Sequence, residues 1–237
     1  MVDQESAAKS YYEPNPRVIF SRLQSLLKPR LLLEVDYTRM IPLTMVLRCL
    51  RLSYYEVKKP GGREPTLARF PVTQLLGIIM HDAIERALDE GCYSEVAVIS
   101  FRNPSIVGIA DIVCPGWVVE VKTVGYLHSN LPRLTHVLQL RYYMFWLGRR
   151  GLLWYVDRRS GDFREYRYDN PLDVKGVELI YERAKALRDA IIEGKPPEPE
   201  PGSWCSTCNW RSYCPCSGGM CRISESLERL FEFAKKK

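Results

Sequence analysis

Between Gly108 and Thr123 the chain reads GIADIVCPGWVVEVKT. The run is rich in Ile and Val and is broken by Pro115-Gly116, the composition of two β-strands joined by a turn. It also carries Asp111, Glu120 and Lys122, and charges in such strands are costly unless something pairs with them. A hairpin centred on Pro115-Gly116 sets Asp111 opposite Glu120, with Cβ atoms roughly 4.5–5.5 Å apart. The strand period of two then puts Glu120 and Lys122 on one face, and Val119 and Val121 on the other. Pro-Gly suits a two-residue hairpin loop poorly, so a longer loop is expected here; a symmetric four-residue loop keeps the same pairing.

Two carboxylates this close share a proton or hold a cation, and oxygen ligands of this kind suit Mg²⁺ or Mn²⁺. A lysine beside them can orient or deprotonate a water, or stabilise charge developing at a phosphoryl centre. The competing reading is an edge hairpin whose charges face solvent, with Lys122 neutralising the acids.

The length of 237 residues allows one sizeable core with an appended lobe. A net charge of +6 suits nucleic acid without requiring it. No apolar run approaches the roughly 18 to 20 residues of a membrane span, and the start, MVDQESAAKSYYEPNP, lacks a basic and apolar export signal. The expectation is therefore a cytoplasmic protein with no membrane partner. Five of the eight cysteines fall within residues 205–221, a distribution that favours metal ligands over a disulfide framework.

Apolar periodicity predicts helices over 17–28, 43–56 and 70–90, strands over 95–101, 106–113 and 117–124, and a helix over 132–147. Strands over 151–157 and 163–168 and a helix over 172–193 complete a mixed sheet flanked by helices, an α/β fold. A proline-rich connector, residues 194–203, leads to the cysteines, and SESLERLFEFAKKK closes the chain as a helix. Three parts follow: an N-terminal helical segment (1–69), a core (70–193), and a C-terminal part (194–237) holding linker, cysteines and helix.

Cys205, Cys208 and Cys214 can wrap one metal centre, but a closed site needs a fourth ligand. By spacing alone Cys216 or Cys221 could supply it, as in a zinc ribbon. Cys92 and Cys114 read as ordinary small buried residues.

Asp111 followed by Glu120-Val121-Lys122, with His81 on a preceding helix and Gln139-x-x-x-Tyr143 on a following one, resembles the RecB-like branch of the PD-(D/E)XK nucleases. Gly77 stands four residues before His81, and Ala110-Asp111 takes the place of the nominal Pro-Asp. Cys49 together with Cys205-x2-Cys208-x5-Cys214-Pro narrows the resemblance to the CRISPR-associated RecB-like iron–sulfur exonucleases. The match spans roughly residues 45–216. It implies a restriction-endonuclease-type core with an iron–sulfur lobe, and a metal-dependent exonuclease acting on single-stranded DNA. The work it implies is trimming DNA ends for CRISPR spacer acquisition, alongside other CRISPR adaptation proteins.

On that resemblance, His81, Asp111, Glu120 and the Val121 carbonyl bind Mn²⁺ or Mg²⁺, and Lys122 joins Asp111 and Glu120 as a catalytic residue. Gln139 and Tyr143 contact DNA, being i and i+4 on one helical face. His136, one turn earlier, shares the possibility of facing DNA. Tyr142, Phe145 and Trp146 are assigned to packing. Cys49, Cys205, Cys208 and Cys214 hold an iron–sulfur cluster, 4Fe-4S before 2Fe-2S, with zinc as the alternative metal. A DNA-repair nuclease of the same fold and a non-catalytic zinc-ribbon DNA-binding module are the rival functions.

Overall fold

The computed structural model describes residues 35–58, 77, 79–80, 83–84, 87–88, 90–202, 205–206, 208–218 and 224–235. The helix expected over 17–28, most of that over 70–90, His81 and Cys221 lie outside the described residues.

Six strands form one mixed sheet: β1 (Met40–Pro42), β2 (Tyr93–Ile99), β3 (Ser105–Cys114), β4 (Trp117–Val124), β5 (Arg150–Asp157) and β6 (Phe163–Tyr168). Strand β3 is the hub. β2 pairs antiparallel along one of its edges, from Val107 to Val113. Its other edge is shared: parallel β1 takes Ser105–Val107, and antiparallel β4 takes only Ile112–Cys114. β5 then pairs parallel with all of β4, and β6 antiparallel with β5.

The hairpin loop is shorter than expected. Cys114 pairs directly with Trp117, leaving Pro115 and Gly116 alone in the turn. Gly116 has φ +76°, so proline followed by a positive-φ glycine gives the signature of a type II turn. The expected register is kept, since Ile112 faces Val119.

The single helix expected over 43–56 is two, α1 (Leu43–Val46) and α2 (Leu50–Lys58), broken around Cys49. The break has a physical cause. Arg183 donates from Nε to the Val46 carbonyl and from Nη2 to the Arg48 carbonyl, both at 2.8 Å, so neither oxygen serves a continuous helix. Glu200 Oε2 accepts from the Leu50 N–H at 2.7 Å, capping the new start.

Helix α3 (Leu134–Leu147) ends at Gly148, and α4 (Val174–Glu193) starts at Asp173, whose carboxylate accepts from the Gly176 N–H. Helix α5 (Glu225–Lys235) buries Leu227, Leu230 and Ala234 against α3 and α4. The main core fills the space between the helices and one face of the sheet, while Ile112, Val119 and Val121 form a smaller cluster with Ile84 and Leu88. Tyr142 is fully buried, and Phe145 and Trp146 pack on the same core, as their packing assignment requires.

The segment assigned to an N-terminal lobe contributes β1 to the sheet. Cys92 and Cys114, read from sequence as plain buried residues, are half-buried and disulfide-bonded. They continue the β2–β3 register by one position beyond Tyr93↔Val113, so they stand directly opposite each other with Cα atoms 4.2 Å apart. Among the described residues no helix is long and apolar enough to cross a membrane.

Arg183 is 2% and Glu200 3% exposed, and they meet in a two-pronged ion pair at 2.6 and 3.0 Å. Burial works to raise the Glu200 carboxyl, but Arg183, Ser224 and the Leu50 N–H together hold it below the usual carboxylate range. Replacing Arg183 by Met strands a buried carboxylate and is expected to cost about 3–5 kcal/mol of stability in urea denaturation. The double variant Arg183→Met/Glu200→Leu should recover only part of this. The carbonyls of Val46 and Arg48 and the N–H of Leu50 would still lack partners. A loss below about 1 kcal/mol for the single variant, the range of an exposed pair, would contradict the assignment.

Candidate active site

Where β1 ends and β4 has not yet joined, one edge of β3 is bare from Gly108 to Asp111. Two features mark this fork. Opposite Asp111 on β2, Glu95 takes φ +50°, a left-handed conformation rare for a non-glycine residue. Side-chain alternation also changes phase: Ile106, Ala110 and Val113 belong to the main core, whereas Ile112 belongs to the smaller cluster. Irregular backbone of this kind concentrates at functional sites. Gly108 is needed here for close approach, because a Cβ would lie 2.5 Å from the Tyr143 ring.

Across the fork Asp111 replaces the missing ladder bond, its Oδ2 accepting from the Val121 N–H at 2.7 Å. The Val121 side chain is buried in the smaller cluster, on the face away from Glu120. Glu120 is completely buried, and its Oε1 accepts a hydrogen bond from Lys122 Nζ. Asp111, Glu120 and Lys122 thus converge, at the fork just beyond the last β3–β4 pair, Ile112–Val119.

Burial first, and then the nearby Asp111 charge, push the Glu120 carboxyl up to about 8. Burial works against the Lys122 ammonium, but Glu120 and Asp111 outweigh it and hold its pKa above the ordinary lysine range. The second oxygen, Glu120 Oε2, is buried without a hydrogen-bond partner. A buried carboxyl oxygen left unpaired beside a second carboxylate fits a divalent ion, which would favour the ionised form and supply the missing coordination.

Gln139 and Tyr143 lie on α3 facing this point, with Gln139 Nε2 donating to Tyr143 Oη at 3.1 Å. Gln139 borders a cavity, while Tyr143 is 1% exposed and packed on Gly108. Burial, and then Glu120, raise the Tyr143 phenol well above its ordinary value, so it remains a neutral partner that orients Gln139. The cavity holds about 740 Å³, with Lys122, Arg133, His136 and Gln139 from the core and Arg48 and Trp210 opposite. Arg48 is paired there with Glu56.

A second cavity of about 290 Å³ adjoins the cysteines. Cys49, Cys205, Cys208 and Cys214, the four residues grouped by the resemblance, all line it with free thiols. Tyr55 and Trp210 stack at 5.8 Å and wall it. Gly202 N–H donates to Cys205 Sγ at 3.3 Å. Burial raises the Cys49 thiol. It also raises Cys208, where the Trp210 backbone N–H opposes it and Cys205 and Cys214 add to it. Cys216 is disulfide-bonded and is not one of the four free thiols. Among the described residues no three metal-ligating side chains stand close enough together to enclose a single ion.

The sequence profile of the PD-(D/E)XK nuclease superfamily matches residues 83–215, and the chain belongs to that superfamily. Its members are nucleases, hydrolases that usually use Mg²⁺ or Mn²⁺. A crystal structure, that of SSO0001, aligns over 86% of this chain and 98% of its own at a TM-score of 0.65 and 23% identity, a likeness of fold. A search of curated proteins gives no match.

Sequence reasoning missed Arg183, Glu200 and Tyr155. The first two look like ordinary surface charges in their local context, and Tyr155 faces Lys122 only through the parallel β4–β5 register. One prediction follows from Glu120. A carboxyl raised from 4.5 to about 8 keeps its proton in the folded state while the unfolded chain releases it. Metal-free stability should therefore fall as pH rises from about 4.5 to about 8, and stay low above. Glu120→Gln should flatten this slope and melt higher than the parent at pH 8, with added Mn²⁺ stabilising only the parent. Thermal melts at several pH values with chelator or Mn²⁺ check it; parallel curves for the two proteins would refute it.

Proposed function

We propose that the chain is a divalent-metal-dependent exonuclease of single-stranded DNA that carries an iron–sulfur cluster. The observation that supports this reading best is the shared wall between its two cavities. Leu52, Cys208 and Trp210 border both the cavity containing Lys122 and the one lined by the four free thiols. A strand lying along the first cavity would touch Lys122, beside the acidic centre, on one side and the cysteine segment on the other.

In this reading Asp111 and Glu120 hold the ion, with His81 and the Val121 carbonyl completing the set that the resemblance implies. When bound, the ion supplies Lewis-acid polarisation of a phosphoryl oxygen and lowers the pKa of its water. Lys122, held by Glu120, carries positive charge to the edge of the cavity and stabilises the charge that grows on the phosphoryl oxygens. Gln139, oriented by Tyr143, offers its amide to the strand. Cys49, Cys205, Cys208 and Cys214 hold the cluster, in a cavity whose aromatic and proline walls limit water. Because Cys49 and Cys205 are far apart in sequence, the cluster would close a long loop and stabilise the fold. Trimming of DNA ends during CRISPR spacer acquisition, with partner adaptation proteins, is the setting we assign to this activity.

Digestion of a labelled oligonucleotide should require Mn²⁺ or Mg²⁺, stop with chelator and return on re-addition. Asp111→Ala, Glu120→Ala and Lys122→Ala should each lower the rate by at least about 10³-fold while the protein stays folded. Near-parental digestion by Glu120→Ala would remove the acidic centre from the mechanism.

The cluster is tested separately. The purified protein should be coloured, and Cys49→Ala and Cys208→Ala should bleach it and lower the melting temperature alike. Cys92→Ala should leave the colour intact. Colour that persists in Cys49→Ala would exclude that residue as a ligand.

A further inference from the structure

We propose that His136 is a neutral, orientation-locked hydrogen-bond donor to a phosphate oxygen of the bound strand, set in one tautomer by Tyr155. The inference rests on the nuclease reading and adds a positioning residue to it.

Tyr155 is fully buried on β5, opposite Lys122 on β4. Its hydroxyl has two neighbours. The Arg133 backbone N–H donates to Oη at 3.0 Å, and His136 Nδ1 lies 2.8 Å from the same oxygen. The hydroxyl hydrogen needs an acceptor, since a buried donor left without one is penalised by its full desolvation. The Arg133 N–H cannot accept, so His136 Nδ1 must. That leaves Nδ1 bare and places the ring's proton on Nε2. The two rings stack, with centroids 5.7 Å apart and planes 29° apart, which fixes the plane of the imidazole as well as its tautomer.

His136 borders the cavity together with Lys122, Arg133 and Gln139. With Nδ1 committed to Tyr155, Nε2–H is the polar atom left to serve the cavity. Burial, followed by the positive charges of Lys122 and Arg133, pushes His136 down to about 3. The imidazole is therefore uncharged at neutral pH and donates without titrating. The cavity's other donors include Lys122, Arg133, Gln139 and Arg48, the last already paired with Glu56. A lining of cations and neutral donors, with Glu56 already paired to Arg48, matches a phosphodiester oxygen.

The chain has three histidines, so ¹⁵N-histidine NMR of the full-length protein can read each ring. One ring, absent from spectra of His136→Gln, should show a bare Nδ1 and a protonated Nε2 that stay unchanged across neutral pH. Tyr155→Phe, which removes the donor to Nδ1, should give a mixture of tautomers. Binding is read by fluorescence anisotropy of a labelled oligothymidylate with chelator present, so that no cleavage intervenes. His136→Ala should weaken binding about tenfold, the loss of one hydrogen bond to a charged acceptor. His136→Gln, whose amide nitrogen reaches the Nε2 position, should stay within about threefold of the parent on the same scale.

A protonated Nδ1 in the parent overturns the proposal. So does unchanged binding by folded His136→Ala, or a Gln variant no better than Ala. A parent that digests DNA while the His136 variants bind normally sinks this inference alone. A parent that neither binds oligothymidylate nor digests DNA with Mn²⁺ sinks the nuclease reading with it.

Discussion

The buried pair Arg183–Glu200 is the joint on which the rest of the arrangement depends. Arg183 reaches from α4 to the carbonyls of Val46 and Arg48, Glu200 reaches from the proline-rich connector to the Leu50 N–H, and Ser224 and Ser226 tie in the last helix. Four segments far apart in sequence are held by two side chains. The consequence is local and chemical: the chain turns sharply at Cys49, and its thiol faces those of Cys205, Cys208 and Cys214 across one cavity. A buried ion pair is weak evidence of net stability, because its desolvation offsets its attraction. Its use here is geometric, since every donor and acceptor has a partner only when the four segments are in register.

The acidic centre depends on a different constraint, the shortage of partners along one edge of β3. Because β1 and β4 share that edge and leave Gly108–Asp111 uncovered, the sheet forks at the point where the carboxylates stand. Asp111 satisfies Val121 with its side chain instead of a ladder bond, which fixes the carboxylate beside Glu120. The cost is concentrated at Glu120, whose second oxygen has no partner and whose carboxyl resists ionisation. A protein with only structural requirements would place an apolar residue there. On the proposed reading, that Glu120 oxygen is the one the cation would take.

Much of this was legible in the sequence because hydrophobic period and turn chemistry are local. β4 and β6 match their expected limits, and β3, α3 and α4 lie within two residues of theirs. The register up to Ile112–Val119 followed from counting outward from Pro115-Gly116, while the fork beyond it, where Asp111 bonds Val121, did not. The loop length did not follow, because the rule against Pro-Gly assumes that strand twist selects the turn, and here Gly116 accommodates the type II geometry. The break at Cys49 was not legible either: residues 43–56 carry an unbroken helical pattern, and what breaks them is a guanidinium more than 130 residues away. The Cys92–Cys114 bond needed the β2–β3 register, and the connection over residues 100–104 carries no two-residue turn signature from which to count it. Tyr155 was hidden because β4 and β5 pair in parallel across helix α3, with no turn between them to count from.

The two cavities bear on each other through the wall they share. Leu52 comes from α2, whose start Glu200 caps, and Trp210 stacks on Tyr55 of the same helix. Opening the thiol cavity would therefore loosen Leu52 and Trp210 without disturbing Asp111, Glu120 or Lys122, which the sheet holds by itself. The chemistry of the acidic centre and the shape of the cavity beside it thus have separate supports. Strand pairing carries the first, while α2 and the cysteine segment carry the second. The sheet supplies Asp111 and Glu120 to the proposed ion, while a long substrate would meet both walls of the cavity. On the proposed reading, damage on the thiol side would reach the reaction through the grip on the strand, and damage at the fork would reach it through the metal.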